Sequence, residues 1–129
     1  MSMTQRPLAA LSSTDEMPDL APMILRQRLV IEGIPARPIS AAEICRYLVG
    51  LGPVCDMVVL TEPVTHRSDK FGWAGWVHWE TSGTHFYAWE QPLLFFSVDI
   101  YTCKAFDPEV AIAYTQAFFD ASTIVAKGF

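Results

Sequence analysis

Several common signatures are missing from these 129 residues. No apolar run approaches the roughly 20 residues that a spanning helix needs, so no membrane partner is expected. Positive charge is scarce, with 9 Lys and Arg against 14 Asp and Glu and a formal net charge of −5. Neutralising phosphates takes a basic patch, and its absence argues against a nucleic-acid partner. The three cysteines, Cys45, Cys55 and Cys103, show no paired spacing. They read as reduced thiols of a cytoplasmic protein. No Cys-x-x-Cys accompanies the His78-x-Glu80 pair, and His66, His78 and His85 do not group with cysteines at ligand spacing, so no metal site is expected. Gly72 and Gly75 lack a following Gly-Lys-Ser/Thr, and no Gly-x-Ser-x-Gly elbow occurs, which removes the motifs of phosphate loops and serine hydrolases. Near the start, Asp15 and Glu16 follow Arg6 with no apolar segment before a cleavage site, so no targeting segment is expected.

What is present reads as one globular domain. Hydrophobic residues make up 51% and charged residues 18% of the chain, enough to bury a core without staples. Residues 1–22 have no periodicity and read as a loose N-terminal arm, which leaves 23–129 as the domain. Met23 to Ile34 reads as a strand. Ser40-Ala-Ala-Glu43 is a capping box, followed by Ile44, Tyr47, Leu48 and Leu51 at helical spacing, with Gly52-Pro53 as the stop. Met57 to Leu60 is a short β-type run, and 63–70 reads as a polar loop. Strands are expected over Trp73–Glu80, Thr84–Glu90 and Phe95–Lys104, with Thr81-Ser82-Gly83 as a tight turn or a bend in one long strand. Asp107-Pro108 opens a second helix, with a stripe of Val110, Tyr114, Ala117, Phe118 and Ala121. Thr123 to Ala126 closes as a strand.

The order β-α-β-β-β-β-α-β predicts an α+β two-layer sandwich, a mostly antiparallel sheet with two helices on one face. Alternation then places Trp76 on one face of its strand and Trp73, Val77 and Trp79 on the other. Likewise Asp99, Tyr101 and Cys103 oppose Val98 and Ile100. Two helices cannot cover both faces, and an uncovered aromatic face predicts a homodimer.

The stretch from Phe71 to Glu90, with Gly72, Gly75, Ser82 and Trp89, resembles the self-cleavage segment of bacterial S-adenosylmethionine decarboxylases. That segment carries a glycine-spaced strand, then Glu-Ser-His, then His-Thr-Trp-Pro-Glu. One extra residue later, Val98-Asp-Ile-Tyr-Thr-Cys103 resembles the family's Val-Asp-Ile-Phe-Thr-Cys run, and 123–128 resembles its last strand. The resemblance implies a lyase of polyamine biosynthesis. It implies a dimer with active sites near its interface, and a pyruvoyl group derived from Ser82 as the cofactor. It also implies an adenosyl compound as substrate or ligand, with Cys103 as proton donor. Trp89 and Glu90 are the expected substrate-binding residues. The match is incomplete: Ala74, Thr81, Gly83 and Tyr87 stand where the family has serine, glutamate, histidine and histidine. Tyr87 is the positional replacement for the processing histidine, and His85, two residues earlier on the same face, is a possible substitute. The alternative reading is a non-catalytic family member that binds an adenosyl ligand or regulates an active paralogue.

Overall fold

The computed structural model describes residues 17–129. Residues 1–16 of the expected arm lie outside that range. The chain runs β1 (Gln27–Ile34), α1 (Ala41–Val54), β2 (Val64–Ser68), β3 (Gly72–Trp79), β4 (Ser82–Trp89), β5 (Phe95–Thr102), α2 (Pro108–Phe119) and β6 (Thr123–Gly128). The six strands form one sheet in the order β2-β3-β4-β5-β1-β6. Every neighbouring pair is antiparallel. Both helices pack against one face, as the α+β two-layer reading requires.

The element order agrees with the sequence reading, but one strand is exchanged. The expected polar loop at 63–70 contains the edge strand β2, paired with β3 from Val64↔Trp76 to Ser68↔Gly72. Edge strands expose both faces and tolerate polar and charged residues, which hides them from a hydrophobicity pattern. The β-type run at Met57–Leu60 makes only an isolated bridge, Val59↔Trp79. Two backbone bonds tie it to the end of β3: Leu60 N–H to the His78 carbonyl at 3.0 Å, and Glu80 N–H to the Val58 carbonyl at 2.9 Å. β1 starts at Gln27 and not at Met23.

The capping box at α1 forms as read: Ser40 Oγ accepts from Glu43 N–H at 3.2 Å, and Ser40 N–H donates to Glu43 Oε1 at 3.1 Å. Pro53 does not stop this helix, which continues to Val54 and closes with Cys55 N–H on the Leu51 carbonyl at 3.0 Å. A proline in the final turn removes one bond and leaves the rest of the turn intact. In α2 the centre of the packed face lies one position along from the expected stripe. Ala111, Thr115 and Phe119 are buried, Tyr114 and Phe118 of the stripe pack beside them and Ala121 is buried, while Val110 and Ala117 are exposed. Thr115 is tolerated inside because its hydroxyl donates to the Ala111 carbonyl at 2.8 Å and meets Tyr47 Oη at 2.7 Å.

The core lies between sheet and helices. Leu29 and Ile31 of β1, Val77 and Trp79 of β3, Phe86 of β4, and Phe96, Val98 and Ile100 of β5 meet Ile44, Tyr47, Leu48 and Leu51 of α1. Gly75 lets α1 sit directly on β3, because a Cβ there would lie 2.7 Å from Ile44 Cγ2. Gly72 has φ +147°, and a Cβ at that position would collide with the Ala88 carbonyl, so the start of β3 requires glycine. The other face of the sheet carries Trp76, His78, His85, Tyr87, Asp99, Tyr101 and Arg28, and no helix of the described chain covers it.

Candidate active site

The hairpin β3–β4 closes on the pair Trp79↔Ser82, leaving Glu80 and Thr81 as its two-residue turn. Neither turn residue has positive φ. The turn is therefore not one of the mirror-image types whose twist matches the strands, and strands joined this way splay. At this end of the sheet lies a hollow of about 850 Å³, reached by Ser82, Cys103, His78, His85, Tyr101 and Arg28 among others.

Ser82 and Cys103 both border this hollow, approaching from opposite sides. Ser82 shares the parity of the buried Thr84 and Phe86, so its side chain leaves β4 towards the helices. There its hydroxyl lies 3.0 Å from Thr81 Oγ1, and both hydroxyls donate towards Met57 Sδ, at 3.8 Å and 3.5 Å. Cys103 shares the parity of Tyr101 and lies exposed at the end of β5. The two segments are joined through the backbone: Cys103 N–H donates to the Thr81 carbonyl oxygen at 3.0 Å. That carbonyl belongs to the peptide preceding Ser82. That hydrogen bond draws electron density towards the oxygen and away from the carbonyl carbon, which makes the carbon a better electrophile. Just beyond, Lys104 Nζ holds the Asp56 carbonyl at 2.7 Å and its carboxylate at 3.3 Å, fixing the end of β5 against the segment that carries Met57.

Across the open face, Arg28 makes two bonds to Asp99, Nε to Oδ1 at 2.9 Å and Nη2 to Oδ2 at 2.8 Å. Hydrogen bonding and charge from Asp99 push the guanidinium pKa upward. Among the described residues, two buried polar atoms have no protein hydrogen-bond partner, Thr84 Oγ1 on the helix side of β4 and Trp79 Nε1, which lies near Gly52 of α1. Of the other thiols, Cys55 is buried, which pushes its pKa up to about 12.

The remaining sequence-nominated residues lie elsewhere in the single chain. Tyr87 and Trp89 border a second hollow of about 240 Å³ with His66, Phe71, Trp73 and Ala74. Glu90 stands at its end, bonded to Arg67 at 3.1 Å. At roughly 3.4 Å per residue along a strand, Trp89 is roughly 24 Å from Ser82. Within one chain, then, Ser82, Cys103 and His85 share a hollow, and Tyr87, Trp89 and Glu90 do not reach it. His85 stands between the two groups, its ring stacked on Tyr87 at 6.2 Å and tilted to Trp76 at 6.4 Å. Among the described residues no three His, Cys, Asp or Glu gather as a metal site. No helix among them is long and apolar enough to cross a membrane.

Reasoning from sequence missed Met57, which no motif marks. It also missed the chemical setting of His78, weighed only as half of a metal motif, although alternation from Trp76 already placed it on the open face.

A single antiparallel sheet with one helical layer, and a hollow at the end of its central hairpin, defines an α+β protein of the adenosylmethionine decarboxylase-like fold. The crystal structure of the adenosylmethionine decarboxylase from Aquifex aeolicus VF5 superposes with a TM-score of 0.66 over 82% of this chain and 89% of that one, at 16% identity. At that identity the likeness concerns the fold. The sequence itself goes further: residues 33–129 match the S-adenosylmethionine decarboxylase family, and the chain belongs to that family. Among curated proteins, none matches the sequence.

Proposed function

We propose that the chain is a pyruvoyl-dependent decarboxylase of S-adenosylmethionine or a related amino acid, with Ser82 as the source of the pyruvoyl group. The observation that carries this reading is the bond from Cys103 N–H to the Thr81 carbonyl. It polarises the one carbonyl that the Ser82 hydroxyl must attack. Attack would convert the Thr81–Ser82 amide to an ester. Loss of the Ser82 Cα proton then breaks the Cβ–O bond, releasing Thr81 as a carboxylate, and hydrolysis of the resulting enamine releases ammonia. A pyruvoyl group at position 82 supplies an electron sink for loss of carbon dioxide from a substrate amine. The Cys103 thiol would return a proton to carbon, a role supported by its exposure on the same hollow.

The uncovered face supports a homodimer. A two-fold axis running across the strands, between two such faces, would lay the Tyr87–Trp89 end of one protomer over the Ser82–Cys103 end of its partner. That arrangement reunites residues that a single chain keeps apart and gives the exposed aromatic rings an adenosyl ligand or a second copy to cover them.

A second reading is a non-catalytic member that binds an adenosyl ligand or regulates an active paralogue. It is favoured by the Ser82 hydroxyl turning towards Met57, and by Ala74 and Tyr87, which offer neither a serine hydroxyl nor an imidazole. Intact-mass measurement on stored protein separates the two. The first reading requires fragments 1–81 and 82–129, the latter with a blocked pyruvoyl end. A single uncleaved mass refutes it. Calorimetry with adenosyl compounds tests the second, and absence of binding removes its ligand-binding form.

A further inference from the structure

Conversion of the Thr81–Ser82 peptide moves protons three times. The Ser82 hydroxyl proton must leave as Oγ bonds to the Thr81 carbon. The amide nitrogen must gain one as the C–N bond breaks. The Cα proton of residue 82 must leave as the Cβ–O bond breaks. Each transfer needs a group that takes up and gives back a proton near neutrality, and imidazole is the side chain suited to that. The residues paired at positions 74 and 87 are an alanine and a tyrosine, and phenols titrate near ~10.

The titratable and charged groups of the hollow are Arg28, Glu80, Asp99, Tyr101, Cys103 and two imidazoles, His78 and His85. Arg28 and Asp99 are committed to each other by two bonds. His85 sits further along the open face, its ring between Tyr87 at 6.2 Å and Trp76 at 6.4 Å, and it pairs across from Trp76, two positions further from the turn than His78. His78 is different. It pairs directly across from Gly83, the residue after Ser82. A Cβ on Gly83 would lie 3.6 Å from His78 Nδ1, ordinary van der Waals contact. The imidazole of β3 therefore packs beside the bare backbone of position 83, one residue from the serine. Its other ring neighbour is Trp76, edge-on at 6.1 Å. It borders the hollow together with Ser82 and Thr81.

Resting on the pyruvoyl reading of Ser82, we propose that His78, whose imidazole lies beside Gly83 on the border of the same hollow, is the proton-transfer residue for the Thr81–Ser82 peptide. The histidine is supplied from the neighbouring strand, and position 87 is relieved of that task.

The test follows self-cleavage of the full chain by intact mass across the neutral pH range, for the wild type, H78Q and H78G. His78 is exposed, so neither variant removes core packing, and thermal melting verifies that both are folded. The expected result is cleavage slowed by about 10²-fold or more in both variants, with the pH dependence of the wild type flattened in H78Q. Added imidazole restores cleavage to H78G, which loss of a purely structural contact would not allow. Cleavage of H78Q at the wild-type rate with an unchanged pH profile overturns the role of His78 and leaves the pyruvoyl reading standing. A folded wild type that cleaves at no pH overturns both.

Discussion

Replacing Trp76 by glutamate tests the open face most directly. Trp76, Tyr87 and Tyr101 remain 39%, 41% and 51% exposed. With roughly 150–250 Å² per aromatic side chain, they leave about 280 Å² of ring surface open on each protomer. Covering both copies would remove about 560 Å² from water, worth about 14 kcal/mol gross at about 25 cal/mol per Å². Association costs about 4–15 kcal/mol in lost freedom, so this surface is just sufficient for a dimer. Trp76 supplies about 100 Å² of it in each copy, or about 5 kcal/mol for the pair. W76E loses that and must also desolvate a carboxylate on each side of the interface. The expected result is a dissociation constant weakened by about 10³-fold or more, read by sedimentation velocity over a wide concentration range. Because the partner's Tyr87 end completes the hollow in the proposed arrangement, the monomeric variant should also cleave itself more slowly. A wild type that sediments as a monomer at high concentration, or a W76E protein that associates as tightly as the wild type, would refute the reasoning.

Three further outcomes concern the fold beneath the site. Tyr47 is fully buried and its hydroxyl meets Thr115 Oγ1 at 2.7 Å. Since Thr115 already donates to the Ala111 carbonyl, Tyr47 is the donor. Y47F therefore leaves one unmet lone pair and costs about 1 kcal/mol in urea denaturation, whereas Y47A opens a cavity and costs about 3–5 kcal/mol. G75A places a methyl 2.7 Å from Ile44 Cγ2, so it should destabilise by about 1–3 kcal/mol, with part of that loss recovered in the double variant G75A/I44V. Burial pushes the Cys55 thiol and the Tyr114 phenol up to about 12. Between the ordinary range of each group and that value the unfolded chain has released the proton and the folded chain retains it. Stability is thus complete below the unfolded pKa and falls as the pH rises towards 12. C55A should flatten that alkaline slope by about one proton in melts recorded against pH, and an unchanged slope would show that Cys55 does not contribute.

The layering was legible because alternation and capping are local. Ser40 with Glu43, and Asp107 with Pro108, announce their helices in four residues or fewer. The opposition of Trp76 to Trp79 needs only the two-residue period of a strand. β2 was not legible, because Val64-Thr-His-Arg-Ser pairs on one side only and buries little beyond Thr65. The α2 stripe was misplaced for a related reason. Thr115 counts as polar in a pattern, yet two hydrogen bonds satisfy it at the centre of the packed face. The closeness of Ser82 to Cys103 was readable from their places on consecutive matched strands. The separation of Tyr87, Trp89 and Glu90 from them was not, because five to eight residues look short in sequence and are long in an extended strand.

That separation gives the turn at Glu80-Thr81 its importance. Along the body of the sheet, a side chain of Ser82's parity and one of Cys103's parity would be divided by the backbone layer. The sheet ends at the Trp79↔Ser82 pair, and beyond it there is no layer left to divide them. The hollow wraps around this rim, which is why residues of both parities, Thr84 and His85 or Trp79 and His78, border it together. A serine one position earlier would lie in the turn without a strand to hold it. One position later it would carry the open-face parity of His85, and its hydroxyl would leave Met57 and Thr81 behind. Position 82 is therefore the one place in this hairpin where a hydroxyl held from the helix side can meet a carbonyl already engaged by the amide of Cys103.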